Sequence, residues 1–349
     1  MMNKEDVRGF CKYYEIDYKK IISFIEENKP KKTLLQAPDG LKKLLVCVYE
    51  EINGLTTVIF SSSPSYGACD LPVEEIEKLC VNALIHIGHN KYPLLRYDVG
   101  IPVLYIEAYY RWNIPDKLVD DIARYLRERH YERIGLLASI QHVKSLIELK
   151  NRLEEKGFRA VIGKTSYPHV MLDGQVLGCE YSSALNIMRD VDVFLVVSGG
   201  IFHSLGLALI SVKEVLAVDP YRNTVWNATG FSRKYLSKRY YIVSKLRYTG
   251  IRSIGIIVGS RPGQYRPRII EFLKQKAEEK GYSVYIISST VLDKERLIAI
   301  DNALNLDVYV VTSCPRLPID DLSDFYKPVI TPGEFIMLVE GLKKYVYPW

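Results

Sequence analysis

Asp307-Val-Tyr-Val-Val-Thr-Ser-Cys-Pro-Arg316 decides how this chain is read. Val308–Val311 form a short run with no polar side, three of its four residues β-branched. That is the signature of a parallel strand covered by helices on both faces. The run passes straight into Thr312-Ser-Cys-Pro-Arg316, so Cys314 sits just past the carboxyl end of a strand. In parallel α/β sheets that end is where ligands bind.

The same pattern repeats outward. Upstream in the same segment lie Ile254-Gly-Ile-Ile-Val258, a glycine-bearing loop through Gly263, a helix near 266–280 and Val284-Tyr-Ile-Ile287. A last strand near Pro328-Val-Ile330 leads to a terminal helix. An earlier unit runs from Arg133-Ile-Gly-Leu-Leu-Ala138 through a helix near 142–156 and Arg159-Ala-Val-Ile162 to Gly174-Gln-Val-Leu-Gly-Cys179. It continues with Val193-Phe-Leu-Val-Val197, the pair Gly199-Gly200 and Val215-Leu-Ala-Val218. The earliest unit holds Lys32-Thr-Leu-Leu-Gln36, Thr57-Val-Ile-Phe60, the loop Tyr66-Gly-Ala-Cys-Asp70, Ala83-Leu-Ile-His-Ile-Gly88 and Pro102-Val-Leu-Tyr-Ile106. Short strands alternating with charged helices predict parallel βαβ units. The expected fold is α/β, in three similar domains at 1–112, 113–222 and 223–349, each of a size to hold its own core.

Three of the six cysteines, Cys69, Cys179 and Cys314, stand in such loops, one per unit and 110 and 135 residues apart. One thiolate from each of three similar units suggests a shared ligand on a pseudo-threefold axis. Three thiolates leave one position of a metal or cluster open for chemistry. Cys11, Cys47 and Cys80 fall in predicted helices, where Cys47 and Cys80 read as small core hydrophobes. No Cys-x-x-Cys occurs, so local zinc knuckles and the usual radical-cluster motif are absent.

The bulk numbers bound the rest. The chain has 349 residues, 48% hydrophobic and 25% charged, with a net charge of +6. No apolar run approaches membrane-spanning length. The first residues carry charges without an apolar core, so they make no secretory signal. A cytoplasmic protein is expected, its cysteines serving as thiols, ligands or catalytic groups rather than disulfides. The basic stretch Ser232-Arg-Lys-Tyr-Leu-Ser-Lys-Arg239 reads as a solvated helix face, so neither membrane nor direct nucleic-acid binding is expected.

Other loop residues keep two readings. Gly263 and Gln264 either admit an anion to backbone N–H groups at a helix start or form a tight turn. His203 is either a polar handle in a crevice or a loop histidine. Arg316 has the fork to clamp a carboxylate. Asp320 and Asp321 either serve the site or cap the next helix.

Taken together, Tyr66-Gly-Ala-Cys-Asp70, Gly88-His-Asn90, Gln175-Val-Leu-Gly-Cys179, Phe202-His-Ser-Leu-Gly206, Asp219-Pro-Tyr-Arg222, Pro262-Gly-Gln264 and Cys314-Pro-Arg-Leu-Pro-Ile-Asp-Asp321 resemble the diphthamide synthase family, its archaeal homodimeric form most closely. The motifs follow the family's order from residue 34 to about 335. Ser61-Ser-Ser-Pro-Ser65 departs from the pattern expected before Tyr66. The resemblance implies three βαβ-type domains around one [4Fe–4S] cluster held by Cys69, Cys179 and Cys314. It implies S-adenosylmethionine as co-substrate, with Gly263, Gln264, Arg316, Asp320 and His203 as its candidate contacts, Arg316 on the carboxylate. The implied reaction moves the 3-amino-3-carboxypropyl group to C2 of a histidine on translation elongation factor 2, with electrons from a separate donor. A Lewis-acid iron–sulfur enzyme resembling quinolinate synthase places its cysteines similarly. A zinc hydrolase or a non-enzymatic binding protein of α/β lobes is the remaining alternative.

Overall fold

The computed structural model describes residues 9–348. A two-residue strand, β1 (Tyr14–Glu15), opens it and pairs antiparallel with β6 (Tyr109–Tyr110). Between them run β2 (Lys32–Gln36), β3 (Thr57–Phe60), β4 (Ala83–Ile87) and β5 (Val103–Ile106), which form a four-stranded parallel sheet in the order β3-β2-β4-β5. Then come β7 (Arg133–Ala138), β8 (Arg159–Ile162), β9 (Val193–Val197), β10 (Glu214–Asp219) and β11 (Thr224–Asn227), in the order β11-β10-β9-β7-β8. The last sheet holds β12 (Ser253–Gly259), β13 (Ser283–Ser289), β14 (Val308–Val311) and β15 (Val329–Ile330), in the order β13-β12-β14-β15 and all parallel.

The three sheets share one strand order. In each, the first strand lies between the second and the third, so the direction of winding reverses between first and third. That reversal opens a crevice at the carboxyl ends of those two strands. The core explains the winding. In the first sheet Leu35 faces a cluster with Ile21, Ile25, Leu44 and Val48 from helices Tyr18–Asn28 and Leu44–Ile52. Its neighbour Leu34 faces the opposite cluster with Ile76 and Val81. Successive strand residues point to opposite faces, so a strand apolar at every position must be covered twice.

By compactness the chain divides into two units. One comprises residues through Val176 with 182–199 and 218–225; the other comprises 177–181, 200–217 and 226–349. Cys69 belongs to the first, and Cys179 and Cys314 to the second.

Two sequence expectations are corrected. Cys11 and Cys47 form a disulfide, with Cα atoms 6.1 Å apart. Phe10 and Cys11 fold back onto the core that buries Cys47, which sets the two sulfurs together. Cys80 is exposed rather than core. The helix Val73–Leu79 ends one residue earlier, and Cys80 turns left-handed (φ 49°) as its C-cap, away from the apolar face.

Candidate functional site

Cys69 is held by a buried relay in the first unit. Asp70, almost fully buried, accepts at its carboxylate from the Tyr66 amide (3.2 Å), and its own amide donates to the Gly67 carbonyl (3.0 Å). The Asp70 carbonyl accepts from Gln36 Nε2 (2.8 Å). Gln36 Oε1 lies 2.7 Å from His86 Nδ1, and His86 Nε2 lies 2.9 Å from His89 Nδ1. Because the Gln36 amide nitrogen is committed to Asp70, its oxygen must accept. This places the proton of His86 on Nδ1 and makes its Nε2 the acceptor for His89. Burial, and then the neighbouring His89, hold His86 well below the ordinary histidine range, so the ring stays neutral. Gln36 ends the first strand and His86 lies in the third, so the relay spans the reversal point of the sheet. The departing stretch Ser61–Ser65 is fixed locally: the hydroxyls of Ser61 (3.0 Å) and Ser63 donate to Glu75.

Two resembling motifs meet in this unit. Asn90 and Gln175 exchange a reciprocal pair of amide hydrogen bonds (2.7 and 2.8 Å), and Gln141 Nε2 donates to the Gly88 carbonyl (2.7 Å).

In the second unit, Cys179 and Cys314 are both half-buried and interact. Burial, and next the neighbouring Cys179, push the Cys314 thiol up to about 11. The bare Cys314 thiol therefore stays protonated. A cation would favour both thiolates, because it offsets the lost hydration and the repulsion between them. The donor set thus fits a thiolate-ligated metal centre.

Cys314 reaches this position because two loops close over the reversal point of the third sheet. A Cβ on Gly259, which ends β12, would lie 2.5 Å from Ser313 Cβ and 3.0 Å from Gln264 Cβ. Glycine is what lets the loop after β12 touch the loop after β14. Gly263 and Gln264 are buried there, and the Gln264 amide donates to the Arg261 carbonyl (2.9 Å).

The Cys179 loop is seated by two reciprocal glycine contacts. A Cβ on Gly178 would lie 1.8 Å from the ring of Phe202, and one on Gly206 would lie 1.9 Å from the Tyr181 hydroxyl. Each motif supplies the aromatic for the other's glycine. Tyr347 then donates to the Gly178 carbonyl (3.1 Å). Tyr181 and Tyr347 escaped the sequence reading, and Phe202 entered it only as part of a motif, with no role of its own. The only signal was the pairing of Gly178 with Gly206 in two unconnected motifs.

The Arg316 guanidinium lies over Phe202, 5.3 Å from the ring centroid. Its Nε is 3.2 Å from Asp320 and 3.7 Å from Asp321. Neither aspartate caps a helix, contrary to one expectation. Both lie inside the turn Leu317–Asp321, where the chain underwinds into a single wide turn, closed by the Leu322 amide on the Leu317 carbonyl, and leaves them beside Arg316. His203 sits in the first turn of the helix Phe202–Ile210. Burial, followed by the Arg316 charge, pushes it down to about 4, so it is neutral at physiological pH.

Among the described residues no group of three or more His, Cys, Asp or Glu is arranged to hold a metal ion. The structure therefore pairs Cys179 with Cys314 and describes Cys69 within its own unit. Cys69 and Cys179 both follow the second strand of their sheets, whereas Cys314 follows the third.

Fold and site together define an α/β protein of three like-wound, mainly parallel sheets, with thiols on the loops beyond the strand ends. Residues 37–348 match the family model described as "Putative diphthamide synthesis protein", and the chain belongs to that family. The 2-(3-amino-3-carboxypropyl)histidine synthase of Pyrococcus horikoshii is 31% identical over 95% of this chain and 92% of its own length. The synthase of the same name from Methanocaldococcus jannaschii is 26% identical over 96% and 92%. The crystal structure of Dph2 from Pyrococcus horikoshii with a 4Fe-4S cluster superimposes with a TM-score of 0.82 at 28% identity, covering 96% of this chain and 93% of that one.

Proposed function

We propose that this chain is a 2-(3-amino-3-carboxypropyl)histidine synthase, catalysing the first step of diphthamide formation. It transfers the 3-amino-3-carboxypropyl group of S-adenosylmethionine to imidazole C2 of a histidine on translation elongation factor 2. The observation that carries this reading is the half-buried Cys179–Cys314 pair beside the reversal point of the third sheet, in a chain that matches a cluster-bearing relative over nearly its whole length.

In this reading Cys69, Cys179 and Cys314 supply three thiolates, one from each of the domains 1–112, 113–222 and 223–349 in a pseudo-threefold arrangement. A [4Fe–4S] cluster held by these thiolates would supply one-electron reducing chemistry for cleavage of the bond from the sulfonium to the methionine γ-carbon. The chain's own groups position the amino-acid end. Arg316 offers its fork to the carboxylate and Asp320 takes the ammonium, with Gly263 and Gln264 closing that side. The Arg316–Asp320 pair is partly exposed and worth at most about 1 kcal/mol. Exchanging it for two contacts with the zwitterion therefore costs little. Neutral His203 adds a polar group without repelling the sulfonium. A homodimer and a cytoplasmic electron donor complete the reading, and among the described residues no helix is long and apolar enough to cross a membrane.

The test uses anaerobic protein, with iron and sulfide counted per chain and small molecules resolved after dithionite. Methylthioadenosine, together with a mass gain on one histidine of elongation factor 2, is expected. Cys69→Ala, Cys179→Ala and Cys314→Ala should each lose the visible iron–sulfur absorption. Full iron content in Cys179→Ala, or 5′-deoxyadenosine as the main product, overturns the proposal.

A further inference from the structure

The helix Ala228–Thr249 carries six basic residues and no acidic one in 22 positions. Its buried side presents Ser232, Arg239, Val243 and Leu246 to the fold. On the opposite side Lys234, Lys238, Tyr241, Lys245 and Tyr248 recur at steps of four, three, four and three. They form one stripe about 21 Å long at 1.5 Å per residue. All five are exposed, Tyr241 at 66% and Tyr248 at 93%, and neither ring has an aromatic partner among the described residues. Tyr240 is different, because it packs against Tyr345. None of the three lysines forms an ion pair among the described residues. The one carboxylate shifted by Lys238, Asp324, is already paired with Lys294 at 2.8 Å.

The sequence alone read this stretch as a solvated helix face; the structure adds two unstacked rings set between unpaired cations. Protein–protein interfaces are depleted in lysine. Tracks for single-stranded nucleic acid combine backbone-neutralising cations with aromatic rings on which bases stack. The lysines are about 6 and 10 Å apart along the axis, within reach of neighbouring phosphates on an extended strand. We propose that this stripe is a docking track for single-stranded RNA. RNA rather than DNA rests on the proposed substrate, a translation factor, which works among RNA.

The test is fluorescence anisotropy with the full chain and a labelled twelve-nucleotide oligouridine, at a series of salt concentrations, with matched DNA and polyglutamate as competitors. Three phosphate contacts give a log–log salt slope of about −2. The variant Lys234→Glu/Lys238→Glu/Lys245→Glu should abolish binding. Tyr241→Ala and Tyr248→Ala should each weaken it roughly ten- to hundredfold. All these side chains point to solvent, so circular dichroism should match the parent. Absent binding in low salt, undiminished binding by the triple variant, DNA bound as tightly as RNA, or displacement by polyglutamate at equal charge would each overturn the proposal. These outcomes leave the product and iron measurements above untouched, so the two readings fail separately.

Discussion

Gly178 and Phe202 are in van der Waals contact, the backbone just before Cys179 lying so close to the ring that a Cβ would stand 1.8 Å from it. The Cys179 loop therefore has its position set by the absence of a side chain. Gly178→Ala should expel the ring, cost about 1–3 kcal/mol as overpacking and lower the iron bound per chain. Gly40→Ala, whose methyl would meet nothing within 4 Å, is the control. Equal thermal midpoints and equal iron in the two variants would disprove the account.

The turn after Cys314 is secured from below by a buried ion pair. Arg239 donates through Nε to Glu334 (2.6 Å), and its other nitrogens donate to the carbonyls of Pro318 (2.9 Å) and Val329 (2.8 Å). Glu334 also accepts from Tyr345 (2.7 Å) and from the Thr331 amide (2.8 Å), closing a capping box on the last helix. Glu334→Ala strands a buried guanidinium and should cost about 3–5 kcal/mol in urea unfolding. Arg239→Met combined with Glu334→Leu should cost less than that single change. A double variant weaker than Glu334→Ala would show that the pair itself, rather than the stranded charge, carries the stability.

The relay behind Cys69 gives stability a pH dependence of definite sign. His86 has its pKa lowered by burial, so the unfolded chain takes up a proton that the folded chain refuses. Its contribution is whole above about pH 6.5 and declines as pH falls below that value. The loss deepens steadily as the pH is taken from about 6.5 towards 5.5. Unfolding of the parent and of His86→Gln, compared at pH 8 and 5.5, should show the smaller acid loss in the variant. Parallel losses would refute it.

Reducing the Cys11–Cys47 bond releases a 36-residue loop. Loop-closure entropy sets the expected loss at about 3–4 kcal/mol. Cys11→Ser/Cys47→Ala should fall in thermal midpoint and keep its iron–sulfur absorption. Lost absorption would mean that one of these sulfurs serves the cluster.

Strand positions were legible because parallel strands buried on both faces leave unbroken apolar runs. Lys32–Gln36, Arg133–Ala138 and Val193–Val197 stand where the sequence puts them. The loop cysteines were legible for the same reason, since a strand end locates the loop. The Cys11–Cys47 bond was not, because pairing depends on how residues 9–11 fold back and no local pattern encodes that. Nor was the fate of Asp320 and Asp321: a capping aspartate and one paired to Arg316 look alike until the turn geometry is known. Tyr347 lies 168 residues beyond Cys179, and their proximity is purely tertiary.

The chain passes between its two compact units five times, and that carries a consequence for synthesis. As a ribosome emits the chain, residues 177–181 appear long before residues 226–349 of the unit to which they belong. Phe202 can cover Gly178 early, but the hydrogen bond from Tyr347 must wait until another 169 residues have been made. The surroundings of Cys179 are thus completed late, so a chain stalled before Tyr347 would present an unfinished thiol loop.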